Sequence, residues 1–364
     1  MSLLLIQRFT VSVSQRVRQA YRALGKRLLA SPRLSRWFYP PPKIETPAEK
    51  YRALNIYYFS DLHEQERMLA DHRRMDFYHK AISRHIKPGD RVIDLGTGTG
   101  ILAAFASRQG AEQVYAVDHS SIIEHAKRLA AENGIENVDF EDVHSSELYL
   151  DEKVDVILHE QIGDFLFDEA MVPNVCDLRD RLLKPGGLIL PSQFEFYCEP
   201  MTMHDERRVP YIWELTDVYG FDFSSMTNSR PDDSDYYRLV SCDLGVVKQF
   251  LGEPAPIVEV DLHTVTELSL PLSVKFTRKV TRAGLLDGLV VYMKAKVDDD
   301  LELSSSPLDP ERAPHWGFRI LRLDQSQVEV GDELEITLTV LDWTDPDTWQ
   351  WTCGQWSNED DSDS

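Results

Sequence analysis

The 364-residue sequence is short of cysteine, of long apolar runs and of basic side chains. Its four cysteines are far apart and none forms a CxxC pair, so the sequence predicts neither a disulfide framework nor a zinc site, and we expect no bound metal. Such cysteine usage fits a reducing compartment, and we expect a cytoplasmic protein. No apolar run approaches the ~20 residues that a helix needs to cross a bilayer.

Basic side chains are outnumbered, since 39 Lys and Arg face 61 Asp and Glu and leave a net charge of −22. Binding to phosphate requires a basic surface, so this charge argues against nucleic acid as the partner. An acidic surface suits a cationic substrate, although it also simply keeps a protein in solution. The length and the 42% hydrophobic content are those of about two globular domains.

The first 43 residues are the exception to this acidic balance. Residues 1–43 contain nine Lys and Arg and no acidic residue, and their apolar positions recur at helical spacing: Val13, Val17, Tyr21, Leu24 and Leu28. This pattern predicts a basic amphipathic helix, which could contact an anionic membrane peripherally or act as a targeting peptide. It could equally dock on the acidic body or on a partner chain. The proline-rich "YPPPK" at 39–43 then marks a boundary.

Strand and helix patterns alternate in the first half of the remaining chain. The segments "RVIDLGTG", "QVYAVD", "NVDFED" and "KVDVILHE" read as short strands separated by helical stretches, which predicts a parallel sheet with helices on both faces. After Pro191 the segments alternate between apolar and polar residues, which predicts an antiparallel sandwich or barrel. The acidic tail, 356–364, is expected to be disordered.

A glycine-rich turn follows the first of these strands. Gly96, Gly98 and Gly100 are preceded by Asp94, and Asp118 follows the next strand. Glycines at a strand-to-helix turn allow a ligand to approach the backbone, and an acid after the second strand suits ribose hydroxyls. The spacing is GxGxG rather than the GxGxxG of dinucleotide sites. A nicotinamide or nucleotide site and a purely structural turn are the alternatives.

Two acidic residues lie in an apolar stretch at the end of the fourth strand. Glu160 and Glu169 belong to "HEQIGDFLFDEAM", among side chains such as Ile162, Phe165 and Phe167. Burial of an unpaired carboxylate is costly, so these acids require a cationic partner. That partner could be a substrate; an unrelated ion pair or a helix-capping role is the alternative.

The same stretch resembles the double-glutamate loop of the protein arginine methyltransferases, because Glu160, Gly163, Glu169 and Met171 fall where that pattern has them. The acid before the glycine turn and the later "LLKPGG" resemble the class I S-adenosylmethionine-dependent methyltransferases. "MLADHRR", "YGFDFS" and "SSSPLDPERAPHW" match further family segments in order, so the resemblance covers about 51–340. Changes in the lid segment and in the double-glutamate loop mark a divergent member.

The resemblance implies an α/β architecture of two domains. A Rossmann-like class I methyltransferase domain with N-terminal lid helices is expected at 44–190, followed by an antiparallel β-barrel domain at 191–355. A dimerisation arm inserted at about 222–252 implies a homodimer. The implied cofactor is S-adenosylmethionine and the implied acceptor is an arginine guanidinium of a protein or peptide.

The implied chemistry depends on the two glutamates. A guanidinium stays protonated and its nitrogens are poor nucleophiles, whereas two carboxylates can hold its planar fork and draw charge from the attacking nitrogen. The resemblance also pairs Asp71 with His315, a dyad that orients the site or accepts the released proton. The implied catalytic residues are thus Glu160, Glu169, His315 and Asp71.

The resemblance assigns two further sets of residues. Arg74 is expected to bind the cofactor carboxylate. For the adenine amino group the segment "EDVHSSE" offers Asp142 or Ser145, and we prefer Asp142. The implied cofactor-binding set is Arg74, Asp94, Gly96, Gly98, Gly100, Asp118, His119, Asp142 and Glu160. The implied substrate-binding set is Tyr58, Met68, Met171 and Trp316, although a tyrosine or methionine at these positions also suits an ordinary core.

Three other functions remain open on the sequence alone. The enzyme could methylate free arginine or another small guanidine instead of a protein. It could be an inactive, cofactor-binding dimeric scaffold, although retention of both Glu160 and Glu169 argues against this. It could also be an oxidoreductase with a nicotinamide cofactor.

Overall fold

The computed structural model describes residues 59–231, 234–241 and 243–356. The predicted basic head, Tyr58 and the predicted acidic tail beyond residue 356 lie outside the described residues. In the described part, no helix is long and apolar enough to cross a bilayer.

Two helices precede the sheet. Helix α1 spans Leu62–Ala70 and α2 spans His72–His85. The Asp71 side chain caps α2 by accepting a hydrogen bond from the backbone N–H of Arg74 at 3.0 Å, which orders the first turn of the helix. The buried face of α2 includes Arg74 and Tyr78, so a charged side chain is directed into the protein from its first turn.

A five-stranded parallel sheet follows, as the alternating pattern predicts. Its strands are β1 (Arg91–Leu95), β2 (Gln113–Val117), β3 (Val138–Glu141), β4 (Val154–His159) and β5 (Leu183–Leu190). The connecting helices are α3 (Ile101–Gln109), α4 (Ile123–Glu132) and α5 (Met171–Leu182). The strand order is β3-β2-β1-β4-β5, so the winding direction reverses between β1 and β4. Ligands of such sheets bind at the carboxyl ends of the two strands that flank the reversal.

The second half of the chain is antiparallel. Its strands are β6 (Gln193–Met203), β7 (Arg238–Ser241), β8 (Val247–Phe250), β9 (Val258–Asp261), β10 (Ser273–Lys279), β11 (Gly284–Asp298), β12 (Leu301–Ser304), β13 (Phe318–Val328), β14 (Glu333–Val340) and β15 (Trp349–Trp356). One sheet has the order β7-β13-β11-β6-β8, with β12 on β11 and β9 on β6, and a second has the order β10-β14-β15. A Rossmann-like sheet followed by a barrel-like antiparallel domain confirms the predicted fold class.

An aromatic cluster joins the two halves next to the loop after β4. Phe165 packs edge-on against Trp349 at 5.1 Å between ring centroids, and Phe167 packs against Trp343 at 4.6 Å and Phe196 at 5.7 Å. Such contacts between large rings contribute strongly to packing. The loop that carries both glutamates is therefore anchored in the core between the sheets.

The segment predicted as an arm is partly sheet. Strands β7 and β8 both lie inside 222–252. The exposed apolar side chains stand just before them, where Tyr219 is 99% and Phe221 69% exposed on a turn closed by hydrogen bonds between Val218 and Phe221.

Candidate active site

The glycine turn lies at the carboxyl end of β1, on one side of the winding reversal. The backbone N–H groups of Gly96 and Thr97 both donate to the carbonyl of Val117, at 2.9 and 3.0 Å. Gly98 has a φ of +54°, and a Cβ at this position would lie 2.8 Å from Oε1 of the buried Gln65 on α1. The left-handed backbone favours glycine here, and a larger residue would also displace the Gln65 amide.

Asp94 is fully buried beneath this turn. Its Oδ2 accepts hydrogen bonds from the Thr97 hydroxyl at 2.6 Å and from the Ala103 N–H at 3.0 Å, whereas Oδ1 is buried without a hydrogen-bond partner. Burial raises the pKa of Asp94 to about 6, because the charged form is poorly solvated. The carboxylate both fixes the turn and presents one unsatisfied acceptor, which suits a cationic ligand.

Three other predicted cofactor contacts lie at the ends of β2 and β3. Asp118 accepts hydrogen bonds from the N–H groups of Gly98 at 3.0 Å and Ser120 at 2.8 Å, so it connects the glycine turn to β2. The next residue, His119, has a buried Nε2 without a hydrogen-bond partner, and its ring lies edge-on to His144 at 5.4 Å. Asp142 follows β3 and is exposed to solvent.

Glu160 stands at the end of β4, on the other side of the reversal, and it is paired with Arg74. The Arg74 Nε donates to Oε1 of Glu160 and Nη2 contacts Oε2, both at 2.8 Å. The Arg74 Nη1 donates to the carbonyl of Met68 on α1 at 3.0 Å. Burial lowers the pKa of Arg74, but the charge and the hydrogen bond of Glu160, together with the nearby Tyr78 and Asp71, outweigh this and leave that pKa raised. The structure thus brings a predicted cofactor ligand and a predicted catalytic acid into one ion pair.

Glu169 occupies the same acidic site from the far end of the loop. Burial, followed by the negative charges of Glu160 and Asp168, raises the pKa of Glu169 well above its ordinary value. Two residues that flank it in sequence have left-handed backbones, Leu166 with φ 69° and Ala170 with φ 54°. Non-glycine residues in this region cluster at functional sites, where the surrounding packing maintains them.

Contacts within the loop explain its shape. The Asp168 Oδ1 accepts a hydrogen bond from the Phe165 N–H at 2.9 Å. A Cβ at position 163 would lie 1.9 Å from the same oxygen, so Gly163 is required for this turn to close. The matched glycine of the motif therefore has a steric role beside the two acids.

The segment around His315 and Trp316 closes over this loop. The Asp71 Oδ2 accepts a hydrogen bond from the backbone N–H of His315 at 2.9 Å, whereas the His315 Nδ1 is buried without a hydrogen-bond partner. Burial lowers the pKa of His315, which favours the neutral imidazole. The indole N–H of Trp316 donates to the Ile162 carbonyl at 2.6 Å. Asp71 and His315 are therefore adjacent, but Asp71 binds the backbone rather than the ring.

Met68 and Met171 are both buried. Sequence reasoning missed Gln65, Asp164 and Arg319. Asp164 accepts hydrogen bonds from the Gly317 N–H at 2.8 Å and from Arg319 Nη2 at 2.6 Å. Asp164 could have been predicted, because it lies between the two matched glutamates in the sequence. Nothing in the sequence around Arg319 indicates that it belongs to the site. No three His, Cys, Asp or Glu side chains of the described residues are grouped to hold a metal ion.

Two family models match the chain. The model described as "Ribosomal protein L11 methyltransferase (PrmA)" matches residues 71–192, and that described as "Arginine methyltransferase oligomerization subdomain" matches residues 196–346. Together they cover the two halves seen in the structure.

Full-length relatives and solved structures agree with these matches. Protein arginine N-methyltransferase PRMT10 of Oryza sativa subsp. japonica is 32% identical over 314 residues, 78% of this chain and 82% of the relative. Protein arginine N-methyltransferase 6 of Xenopus tropicalis is 33% identical over 288 residues, 77% of this chain and 83% of the relative. The open crystal structure of Arabidopsis thaliana protein arginine methyltransferase 10 superposes with a TM-score of 0.67 at 25% identity, covering 82% of this chain and 98% of that one. The Trypanosoma brucei PRMT1 enzyme-prozyme heterotetrameric complex with AdoHcy has the same TM-score and coverage at 23% identity.

Proposed function

This chain belongs to the protein arginine N-methyltransferase family, and we propose that it transfers a methyl group from S-adenosylmethionine to a guanidino nitrogen of a protein arginine at Glu160 and Glu169. The observation that supports these roles is the convergence of two largely buried acids beside a glycine turn at the winding reversal. The described residues around them offer the acceptor a negative site, as a guanidinium requires.

The residues at the glycine turn fit S-adenosylmethionine. The unpartnered Oδ1 of Asp94 suits the ammonium group, Asp118 suits the ribose hydroxyls, and Arg74 suits the carboxylate. We assign His119 and Asp142 to the nucleoside end, because both follow strands at the same edge of the sheet. When bound, the cofactor supplies an electrophilic methyl group on a sulfonium.

The chain's own residues prepare the acceptor. One glutamate holds the idle edge of the guanidinium, and the other draws positive charge from the attacking nitrogen, which thereby gains lone-pair character. Positioning contributes much of the rate, because a fixed donor and acceptor convert a bimolecular step into an intramolecular one. We assign the released proton to His315, whose neutral ring has an unpartnered Nδ1 and whose backbone is held by Asp71. Met68, Met171 and Trp316 form the walls of the site in this proposal.

The proposed domain boundary lies at 190/191. It is supported by the end of the parallel sheet at Leu190 and by the start of β6 at Gln193. We propose a homodimer in which the exposed Tyr219 and Phe221 contact a second copy, since the second family model is described as an oligomerization subdomain. In this proposal the arm lies upstream of β7, and the predicted range 222–252 is only partly inside it.

A cytoplasmic location is proposed on the chemistry of the thiols. Cys176, Cys198 and Cys353 are free cysteines. Contact of residues 1–43 with a membrane or a partner remains a proposal that rests on their basic amphipathic sequence.

Product identification tests the proposed function. The protein is incubated with methyl-labelled S-adenosylmethionine and, separately, with arginine-rich peptides, the same peptides with lysine in place of arginine, and free arginine. We expect mass spectrometry to find label on peptide arginine alone. Label on free arginine but not on the peptides would replace the proposed acceptor, and no labelled product with any acceptor would contradict the assignment.

A further inference from the structure

The acid assigned to the acceptor is already bound to a guanidinium of the chain itself. Both oxygens of Glu160 are engaged by Arg74, through Nε and Nη2, each at 2.8 Å. This is the bidentate geometry in which a carboxylate also binds an acceptor arginine. The Arg74 side chain is 7% and the Glu160 side chain 14% exposed, so the pair lies inside the site and not at its rim.

Arg74 also has donors left for another anion. A guanidinium carries five N–H donors. Two of them bind Glu160 and one binds the Met68 carbonyl at 3.0 Å. The other two contact only thioether sulfurs, from Nη1 to Met75 Sδ at 3.5 Å and from Nη2 to Met68 Sδ at 4.0 Å, and a carboxylate is a far stronger acceptor than these. Helix α1 places these groups near the glycine turn, because Gln65 lies over Gly98 one turn before Met68.

We propose that Arg74 couples cofactor binding to acceptor binding. In the free protein the Arg74 guanidinium occupies Glu160 in place of an acceptor arginine, until the carboxylate of the cofactor also binds Arg74 and shares its positive charge. The inference rests on the proposed function. Without cofactor, an acceptor arginine competes with Arg74 for Glu160. With cofactor, Arg74 distributes its donors between two carboxylates and its hold on Glu160 weakens, so the acceptor binds more tightly. The favoured order is cofactor first and acceptor second.

Equilibrium binding measures this coupling without any chemistry. The dissociation constant of an arginine-rich peptide is determined by calorimetry on the full chain, with and without saturating S-adenosylhomocysteine. We expect the wild-type protein to bind the peptide at least tenfold more tightly in its presence. Because coupling between two ligands is reciprocal, the peptide must tighten S-adenosylhomocysteine binding by the same factor.

Two substitutions at Arg74 test the cause. Arg74→Lys retains the charge but loses the fork, and Arg74→Gln removes the internal cation. We expect the coupling factor to fall below about threefold in both, and Arg74→Gln to bind the peptide without cofactor more tightly than the wild type does. The matched control is Arg73→Lys, on the adjacent, half-exposed arginine that pairs with Glu311, and it should retain the wild-type factor.

The outcomes separate this inference from the proposed function. Wild-type protein that methylates the peptide but shows equal peptide affinity with and without S-adenosylhomocysteine would overturn the inference alone. Coupling that persists in a folded Arg74→Lys protein, checked by circular dichroism, would also overturn it, even if Arg74→Gln fails to fold. Failure of the wild type both to bind and to methylate arginine peptides would instead remove the proposed function.

Discussion

At the scale of single residues, the site is defined by charged side chains that are largely buried. Glu160 forms an ion pair with Arg74, and the pKa of Glu169 is raised by burial first and then by neighbouring carboxylates. Two acids of one site with such different surroundings can divide the work of holding a cation and withdrawing its charge.

Glu169 should lose a proton when the acceptor binds. Its raised pKa in the free protein reflects burial first, then Glu160, Asp168 and Asp164, with Arg74 acting against them. A bound guanidinium lowers that pKa, so between the lowered and the raised value each binding event releases up to about one proton. Calorimetry of peptide binding in buffers of different ionisation enthalpy measures this release. Glu169→Gln should abolish it, and equal release by the wild type and this variant would contradict the assignment.

The same shift predicts the pH dependence of the free protein. The pKa of Glu169 in the folded state lies above its ordinary value, so the folded state binds the proton more tightly than the unfolded state does. The stabilisation is therefore complete below the ordinary pKa of a glutamate, about 4.3, and is lost as the pH rises through the raised value. Thermal unfolding of Glu169→Gln should show a smaller decline over this range than the wild type.

At the scale of elements, the loop between β4 and α5 is held by parts of the chain that are distant in sequence. Phe165 and Phe167 anchor it to Trp349 and Trp343 of the second domain. Asp164 fixes it to the segment that follows Trp316. The loop keeps its left-handed residues because these contacts determine its course.

Asp164 should therefore matter for transfer although it need not touch a substrate. Asp164→Ala removes the acceptor of the Gly317 N–H and the charge partner of Arg319. The loss of hydrogen bonds to a partly buried charge costs about 1–3 kcal/mol, so we expect kcat/KM to fall roughly tenfold to a hundredfold. Glu311→Ala, which removes an exposed ion pair with Arg73 in the same region, should change it less than about threefold. Equal effects of the two substitutions would contradict this role.

Sequence patterns predicted the elements better than their contacts. The alternation of strands and helices predicted the parallel sheet, and the change of period after Pro191 predicted the antiparallel half. Two contacts could not be predicted from the sequence, because side-chain partners depend on how α2 and the later loops pack. One is the bidentate contact of Arg74 with Glu160. The other is the hydrogen bond from the backbone N–H of His315 to Asp71. The sequence of 221–252 predicted a polar loop with a helical end, which was wrong, because the segment contains strands β7 and β8. Strands of four residues are too short to show a periodicity that distinguishes them from a helix.

At the scale of the whole molecule, the turn that carries the exposed Tyr219 and Phe221 is the proposed contact with a second copy. Tyr219→Ala combined with Phe221→Ala should convert the proposed homodimer into monomers in sedimentation velocity, because aromatic side chains are often hot spots of interfaces. Leu268→Ala, at an apolar side chain that is also 99% exposed, is the control and should leave the dimer intact. A double variant that sediments as the wild type would contradict the proposed interface.

Deletion of 225–250 should also weaken self-association, but it removes β7 and β8 as well, so the point substitutions are the cleaner test.

In the proposed mechanism, a pair of acids makes a poorly nucleophilic guanidinium reactive. Its most direct test is Glu160→Gln, with methyl transfer to an arginine peptide and affinity for S-adenosylhomocysteine measured on the same preparation. We expect Glu160→Gln to abolish transfer and to bind S-adenosylhomocysteine as tightly as the wild type or more tightly, because Arg74 is no longer paired with a carboxylate. A Glu160→Gln protein with full methyl transfer would contradict it.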